Sequence, residues 1–291
     1  MSQQETNNLK NILLMKNLKW LMLLAAGVLV AIACSSKKPE KQRLLVLYYS
    51  QTSNTKQVAE EIATRLGADI EEVVLKNPYD TDFQATIARS MKEREEGVTP
   101  EIEPLKADVS QYDVVFIGYP IWFGTYAPPI ATLLESIDLT GKKVVPFCTF
   151  GSGGLESSVK DLTEKLPNAE ILAGYGVRAA RIKAVPEEID QFLKAGGFVE
   201  GECVKLEDFG EAHEASEEEA AIFDAAVDGY PMIHAKAKAV ASRALPNGTE
   251  YLFTAEDLPR EGAPAMPAMG EMKVYVTVLE GETPVFTRVV R

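Results

Sequence analysis

The sequence predicts an α/β chain: a five-stranded parallel sheet in a three-layer sandwich, followed by a small α+β unit built from one helix and an antiparallel sheet. Three observations carry that expectation. Short apolar runs alternate with helical patterns from residue 43 to about residue 195. The loops after three of those runs are rich in hydroxyls, aromatics or glycines, as binding loops at the carboxyl ends of parallel strands would be. Beyond Pro231 the pattern turns to β-like alternation punctuated by hairpin signals.

The first strand is read in the run Leu44 to Tyr49, which suits burial on both faces. Val58, Ala59, Ile62, Ala63 and Leu66 then share a helical face, and Gly67 is placed to stop that helix. Asp69 to Leu75 reads as the second strand. Residues 76–112 form a polar excursion with a helix near Phe83 to Glu95, whose run Lys92-Glu93-Arg94-Glu95-Glu96 is a solvated face. Further strands are expected at Asp113 to Gly118, Lys142 to Thr149 and Ala169 to Ala173. Helices fit at Pro128 to Ile137, Leu155 to Leu166 and Pro186 to Ala195. Pro146 is awkward for a central strand, because it has no N–H for the ladder.

The net charge of −13 over 291 residues argues against nucleic acid and anionic membrane surfaces as direct partners. Lys10, Lys16 and Lys19 precede an apolar run from Trp20 to Ala33 that is short for a membrane span. That run ends Ala31-Ile32-Ala33-Cys34-Ser35-Ser36 and resembles a bacterial lipoprotein signal. The resemblance implies that residues 1–33 are a signal peptide, that Cys34 is lipidated and that 34–42 are a tether to a membrane of the cell envelope. A plain secretory signal is the competing reading. Removing residues 1–33 would leave a formal charge of about −15. Of the other cysteines, Cys148 sits in an apolar strand as a small buried hydrophobe, although a pairing with Cys203 stays open. No sequence cluster of Cys and His suggests a metal site.

The stretch after the first strand is Ser50-Gln51-Thr52-Ser53-Asn54-Thr55. A strand that turns directly into a helix aims free backbone N–H groups and the positive end of the helix dipole at one place. With hydroxyls and no Lys or Arg, the turn suits a permanently held phosphate; an ordinary turn capped by Asn54 is the alternative. After the third strand comes Tyr119-Pro120-Ile121-Trp122-Phe123-Gly124-Thr125-Tyr126, and after the fourth Thr149-Phe150-Gly151-Ser152-Gly153-Gly154. Aromatics in the former want a flat partner or the core, and the glycines of the latter admit close backbone approach.

Taken together these loops resemble those of flavodoxins, whose first loop is usually written Thr-x-Thr-Gly-Asn-Thr. The resemblance covers about residues 43–195 and implies FMN as cofactor, with Ser50 to Thr55 around its phosphate. Pro120, Ile121, Trp122, Phe123, Gly124 and Thr125 would form the second loop, with Trp122 against the flavin ring and Gly124 and Thr125 at its edge. Thr149, Phe150, Gly151, Ser152 and Gly153 would form the third, at the pyrimidine end. Ser53 replaces the family's Gly, a position serine can fill if the backbone there avoids positive φ; Phe150 stands where a His is often found. Because a flavin carries its own chemistry, no catalytic residue is assigned. An FMN-dependent NAD(P)H oxidoreductase or quinone reductase, a non-catalytic electron carrier and a flavin-free binding protein all remain open. The partners implied are a redox protein or a small-molecule acceptor. The third loop offers only Phe150 as a ring, which leans toward an open flavin face and a reductase.

Residues 43–198 make the first domain of this reading, 199–213 a linker and 214–291 the second domain. Ser216 is placed to cap an acidic helix reaching Val227. Strands follow at Ala235 to Leu245, Glu250 to Ala255, Glu271 to Leu279 and Thr283 to Val290, with a Pro246-Asn247-Gly248 turn and the Pro/Gly/Met-rich stretch 259–270 between them. Element order, and Ala239 to Arg243 leading through Gly248 to Tyr251, resemble the cystatin-like fold. The cystatin inhibitory motif is missing there, so docking or dimerisation is expected in place of protease inhibition.

Overall fold

Strand β1 (Leu44–Tyr48) is enclosed from its second residue onward because it lies inside a sheet covered on both faces. A computed structural model describes residues 42–258 and 270–291, of which Arg43–Arg291 make one contact unit. The expected signal, Cys34 and the expected tether up to residue 41 lie outside the described residues, as does all of the stretch 259–270 except Gly270. No helix among the described residues is long and apolar enough to cross a membrane.

β1 pairs in parallel with β2 (Asp69–Glu72) on one side and β3 (Val114–Trp122) on the other. β5 (Lys143–Phe150) lies beyond β3, and β6 (Glu170–Ile171) and β7 (Tyr175–Arg178) share the far edge. The five parallel positions match the predicted sheet, and antiparallel β4 (Thr125–Tyr126) folds back onto the end of β3. Successive side chains point to opposite faces, so each strand feeds two cores. Leu45, Leu47, Val115 and Ile117 meet Ile130 and Leu133 of α3 (Pro128–Ser136) and Leu162 of α4 (Leu155–Lys165). Val46, Phe116, Val145 and Phe147 meet Val58 and Ile62 of α1 (Asn54–Leu66) and Ile189 and Leu193 of α5 (Val185–Ala195). Each such side chain contributes about 1.5–3 kcal/mol by leaving water. Helix α2 (Phe83–Glu96), in the polar excursion, buries only Thr86 and Ser90.

The expected fifth strand, Ala169 to Ala173, is broken in two, and Pro146 gives the reason. The Lys143 amide bonds to Asp113 on the β3 side, and the Val144 carbonyl accepts from Leu172 on the β6 side. Alternation therefore aims position 146 at the edge strand, where proline has no N–H to offer. β6 ends opposite Val144, and β7 resumes opposite Phe147. The proline is tolerated because its missing donor coincides with the gap. β2 also stops short of the predicted Leu75, which bridges to Ile102 instead.

The second sheet is antiparallel, in the order β12 (Val285–Val290), β11 (Glu271–Leu279), β10 (Gly248–Asp257), β9 (Ala235–Leu245), β8 (His213–Glu214). It has one strand more than predicted, because the chain before α6 (Glu217–Val227) adds the two residues of β8 to the edge. Ser216 caps α6 in a reciprocal box with Glu219, and Phe223 packs on Val240, Phe253, Val274 and Phe286.

Candidate functional site

The first loop leaves β1 and enters α1 with Ser53 as the N-cap residue. Ser53 takes φ 63° and ψ 0°, and no side chain caps the helix. The condition that would suit serine there is not met: the loop holds the left-handed geometry a glycine would favour, at a cost of roughly 1–2 kcal/mol. Backbone strain of this kind is held in place by its surroundings and clusters at ligand sites. The uncapped first turn leaves its N–H groups to an anion. Among the described residues the buried Ser50 Oγ has no hydrogen-bond partner, which leaves it free to donate to a ligand.

Other residues of that loop hold the scaffold together. Gln51 accepts from the Tyr49 hydroxyl at 2.6 Å and donates to the Asp80 carbonyl at 2.9 Å, tying down the segment before α2. Asn54 Nδ2 donates to the exposed Thr52 Oγ1 at 3.1 Å. Thr55 is buried, and its Oγ1 lies 2.8 Å from that of Thr149, which joins the first loop to the third.

What reads in sequence as the second loop is largely strand. β3 runs through Pro120 and Ile121 to Trp122, turns at Phe123-Gly124 and returns as β4, with Ile121 opposite Tyr126 and Trp122 opposite Thr125. Both turn residues have positive φ, 51° and 85°, as a two-residue hairpin turn of type I′ requires. Trp122 is half-buried and edge-on to Tyr49 and Tyr79, with ring centroids 6.1 and 5.1 Å away. Phe123 is exposed, with the Arg94 guanidinium 5.8 Å from its ring. The Thr125 Oγ1 is a second buried hydroxyl without a partner among the described residues. Burial lifts the Tyr49 and Tyr79 phenols well above their ordinary value, so both rings are neutral packing surfaces near pH 7.

The third loop departs most from expectation. Thr149 and Phe150 still belong to β5, and the Phe150 ring is buried in the core beside Cys148 and Leu162. Its side chain therefore does not cover a ligand, a correction that follows from the strand's alternation. Gly151 to Gly154 then turn into α4, whose N-cap Gly154 has φ 113° and no side-chain cap. A Cβ on Gly153 would collide with the Val289 carbonyl, so this glycine admits strand β12. The Val289 amide donates to the Ser152 carbonyl at 2.6 Å. Arg178, at the end of β7, donates through Nε to the Gly151 carbonyl and through Nη1 to that of Phe286, each at 2.8 Å. Its guanidinium lies 3.4 Å from the Phe286 ring centroid and 5.2 Å from that of Tyr230. Burial pushes its pKa down to about 10, which leaves it charged at neutral pH.

Both remaining cysteines are free thiols; Cys148 is wholly buried, and burial drives its thiol pKa far up. Among the described residues no group of His, Cys, Asp and Glu is arranged to hold a metal. A groove of about 830 Å³ lined by Lys76, Glu101, Thr132 and Lys142 lies toward the opposite, N-terminal ends of β3 and β5 and includes none of the three loops.

The family model for flavodoxin matches residues 43–189. The chain belongs to the flavodoxin family. An uncharacterised protein of Methanocaldococcus jannaschii is 31% identical over 137 residues, covering 46% of this chain and 73% of that protein. A Bacteroides eggerthii protein described as a flavoprotein is 32% identical, covers 52% of this chain and 97% of its own, and superposes with a TM-score of 0.45. A Lactobacillus acidophilus flavoprotein solved in complex with FMN is 25% identical, with coverages of 52% and 97% and a TM-score of 0.45.

Flavodoxin-family membership implies FMN, and the residues present fit it. The orphaned Ser50 Oγ and the uncapped start of α1 suit the phosphate. The Trp122 ring, the unpartnered Thr125 hydroxyl and the Phe123-Gly124 backbone suit the flavin ring and its edge. Sequence reasoning missed Tyr79, Arg178, Tyr230 and Val289. Only Arg178, a lone cation ending an apolar strand, left a local signal.

Proposed function

We propose that this protein is an FMN-dependent redox protein of the cell envelope, anchored through lipid on Cys34, that exchanges electrons or hydride with a partner protein or a small acceptor. The observation that carries the reading is the first loop: a left-handed Ser53, a helix start with no side-chain cap and a buried Ser50 hydroxyl without a partner converge on one anion site. Bound FMN would supply the redox chemistry, taking up and releasing electrons. The chain's own work is to bind and orient it. Ser50 and the first turn of α1 hold the phosphate by dipoles and hydrogen bonds, with no cation in the turn itself. Trp122, braced by Tyr49 and Tyr79, packs against the ring.

Within this reading a reductase using NAD(P)H, with a quinone-like acceptor, is favoured over a pure electron carrier. Phe150 is turned inward, so the third loop contributes no ring of its own to cover the flavin. The visible spectrum of the purified chain with FMN titrated in, in wild type and in Trp122→Ala, tests the site. Quenched flavin fluorescence that weakens at least tenfold in the variant is expected, and no binding at high micromolar FMN sinks the proposal. Turnover of NAD(P)H with a quinone then separates reductase from carrier. Palmitate labelling of wild type but not of Cys34→Ala would support the anchor, and equal labelling of both would remove it.

A further inference from the structure

Two features of the second sheet have no role in the reading above: it sits on the third loop, and a buried cation joins the two. β12 is the outermost strand of its sheet, paired with β11 on one side only. Its free edge is closed by the third loop, since the Val289 amide points away from β11 to the Ser152 carbonyl. An open strand edge is ordinarily a liability, and a neighbouring loop that accepts from it removes the exposed donor. Gly153 gives the side-chain-free approach this requires.

Arg178 reinforces the junction. Its planar fork reaches one carbonyl in each half, Gly151 in the third loop and Phe286 in β12, while the Phe286 and Tyr230 rings pack on it. Among the described residues no carboxylate forms an ion pair with Arg178. The neighbouring Arg181 is engaged by Glu188, and Arg288 of β12 faces Glu156 at 3.5 Å. A buried guanidinium held only by carbonyls and rings leaves its charge uncompensated just behind the loop.

Resting on the FMN reading, we infer that the C-terminal sheet is a built-in positioning element of the flavin site: β12 and Arg178 fix the third loop and place a buried positive charge behind it. Arg178 is a positioning residue, acting through the Gly151 carbonyl. A flavin gains negative charge at its pyrimidine end on reduction, and a nearby cation favours that form. Arg178, at the end of β7 and bonded to β12, thereby raises the cofactor's midpoint potential in an otherwise acidic protein.

The test uses the full chain as wild type, Val289→Pro, Arg178→Lys and Arg178→Gln. Amide exchange of residues 151–154 is followed without flavin, with core amides of β10 as the internal check that the second domain is folded. FMN affinity and midpoint potential are then measured. Val289→Pro removes one donor on an edge strand and keeps the cation. It is expected to speed loop exchange at least tenfold and weaken FMN at least fivefold, with the potential near wild type. Arg178→Gln should do the same and lower the potential, and Arg178→Lys should restore the potential but not the protection. Unchanged loop exchange in Val289→Pro, or one potential shared by all four chains, overturns the inference. If wild type takes up no FMN, the proposed function falls, while the exchange arm still decides the clamp: tenfold faster exchange upholds it and unchanged exchange overturns it. Should Arg178→Gln fail to fold, Arg178→Met replaces it as the uncharged variant, and a potential no lower than wild type there overturns the inference.

Discussion

The first and third loops invite comparison, because each ends a buried parallel strand and opens a helix with no side-chain cap. They differ in what their polar groups already touch. The first keeps the Ser50 hydroxyl and the first turn of α1 unengaged, and accepts a strained Ser53 to do so. The third, richer in glycine, has its carbonyls taken by Val289 and Arg178. Glycines in a βα loop thus need not signal a ligand; here Gly153 makes room for another part of the same chain. The partnerless hydroxyl identifies a ligand site better than a Gly count does.

The comparison breaks most readily at Gly153. A Cβ there meets the backbone carbonyl of Val289, which cannot rotate away, whereas one on Gly151 meets only the Tyr230 hydroxyl at 3.0 Å. Gly153→Ala should destabilise the chain by about 3 kcal/mol, the upper range for overpacking. Gly151→Ala should stay within about 0.5 kcal/mol. Urea unfolding of both measures the difference, and equal losses would mean that β12 does not depend on that glycine.

A smaller effect is expected where the two loops meet. Thr55→Val leaves the Thr149 hydroxyl buried without its partner at 2.8 Å and should cost about 1.5–2 kcal/mol. The double change Thr55→Val with Thr149→Val should cost clearly less than the sum of the singles, because both polar groups are then gone. Strict additivity in a double-mutant cycle would show that the hydroxyls do not couple the loops.

How far these loops could be read from sequence follows the range of the contacts that shape them. The run Leu44 to Tyr49 and the helical face from Val58 to Leu66 specify β1 and α1 locally, so the turn between them falls where the sequence puts it. The hairpin β3–β4 looks like a loop in sequence because Pro120 interrupts the apolar run and Phe123 gives no sign of adopting positive φ. Pro146 predicted trouble for β5 without showing that a broken edge strand would absorb it. Two-residue β8 is too short to leave a periodic signal. The docking of Val289 on Ser152 links residues far apart in sequence, and nothing in either segment announces it.

The smallest change sharpens the first loop. Ser53→Gly relieves a left-handed residue at φ 63°, offset in part by the greater freedom of glycine in the unfolded chain. A gain of about 0.5–1 kcal/mol is expected in thermal unfolding without flavin. A loss would mean that the serine side chain contributes more than its backbone strain costs.

The most direct test of the account compares FMN with riboflavin, which carries the same ring without the phosphate, by fluorescence titration of the purified chain. If the unengaged donors of Ser50 and the α1 terminus form the anion site, FMN should bind at least 100-fold more tightly, a difference of about 2.7 kcal/mol. Equal affinities would contradict the account, because the first loop would then not be holding a phosphate.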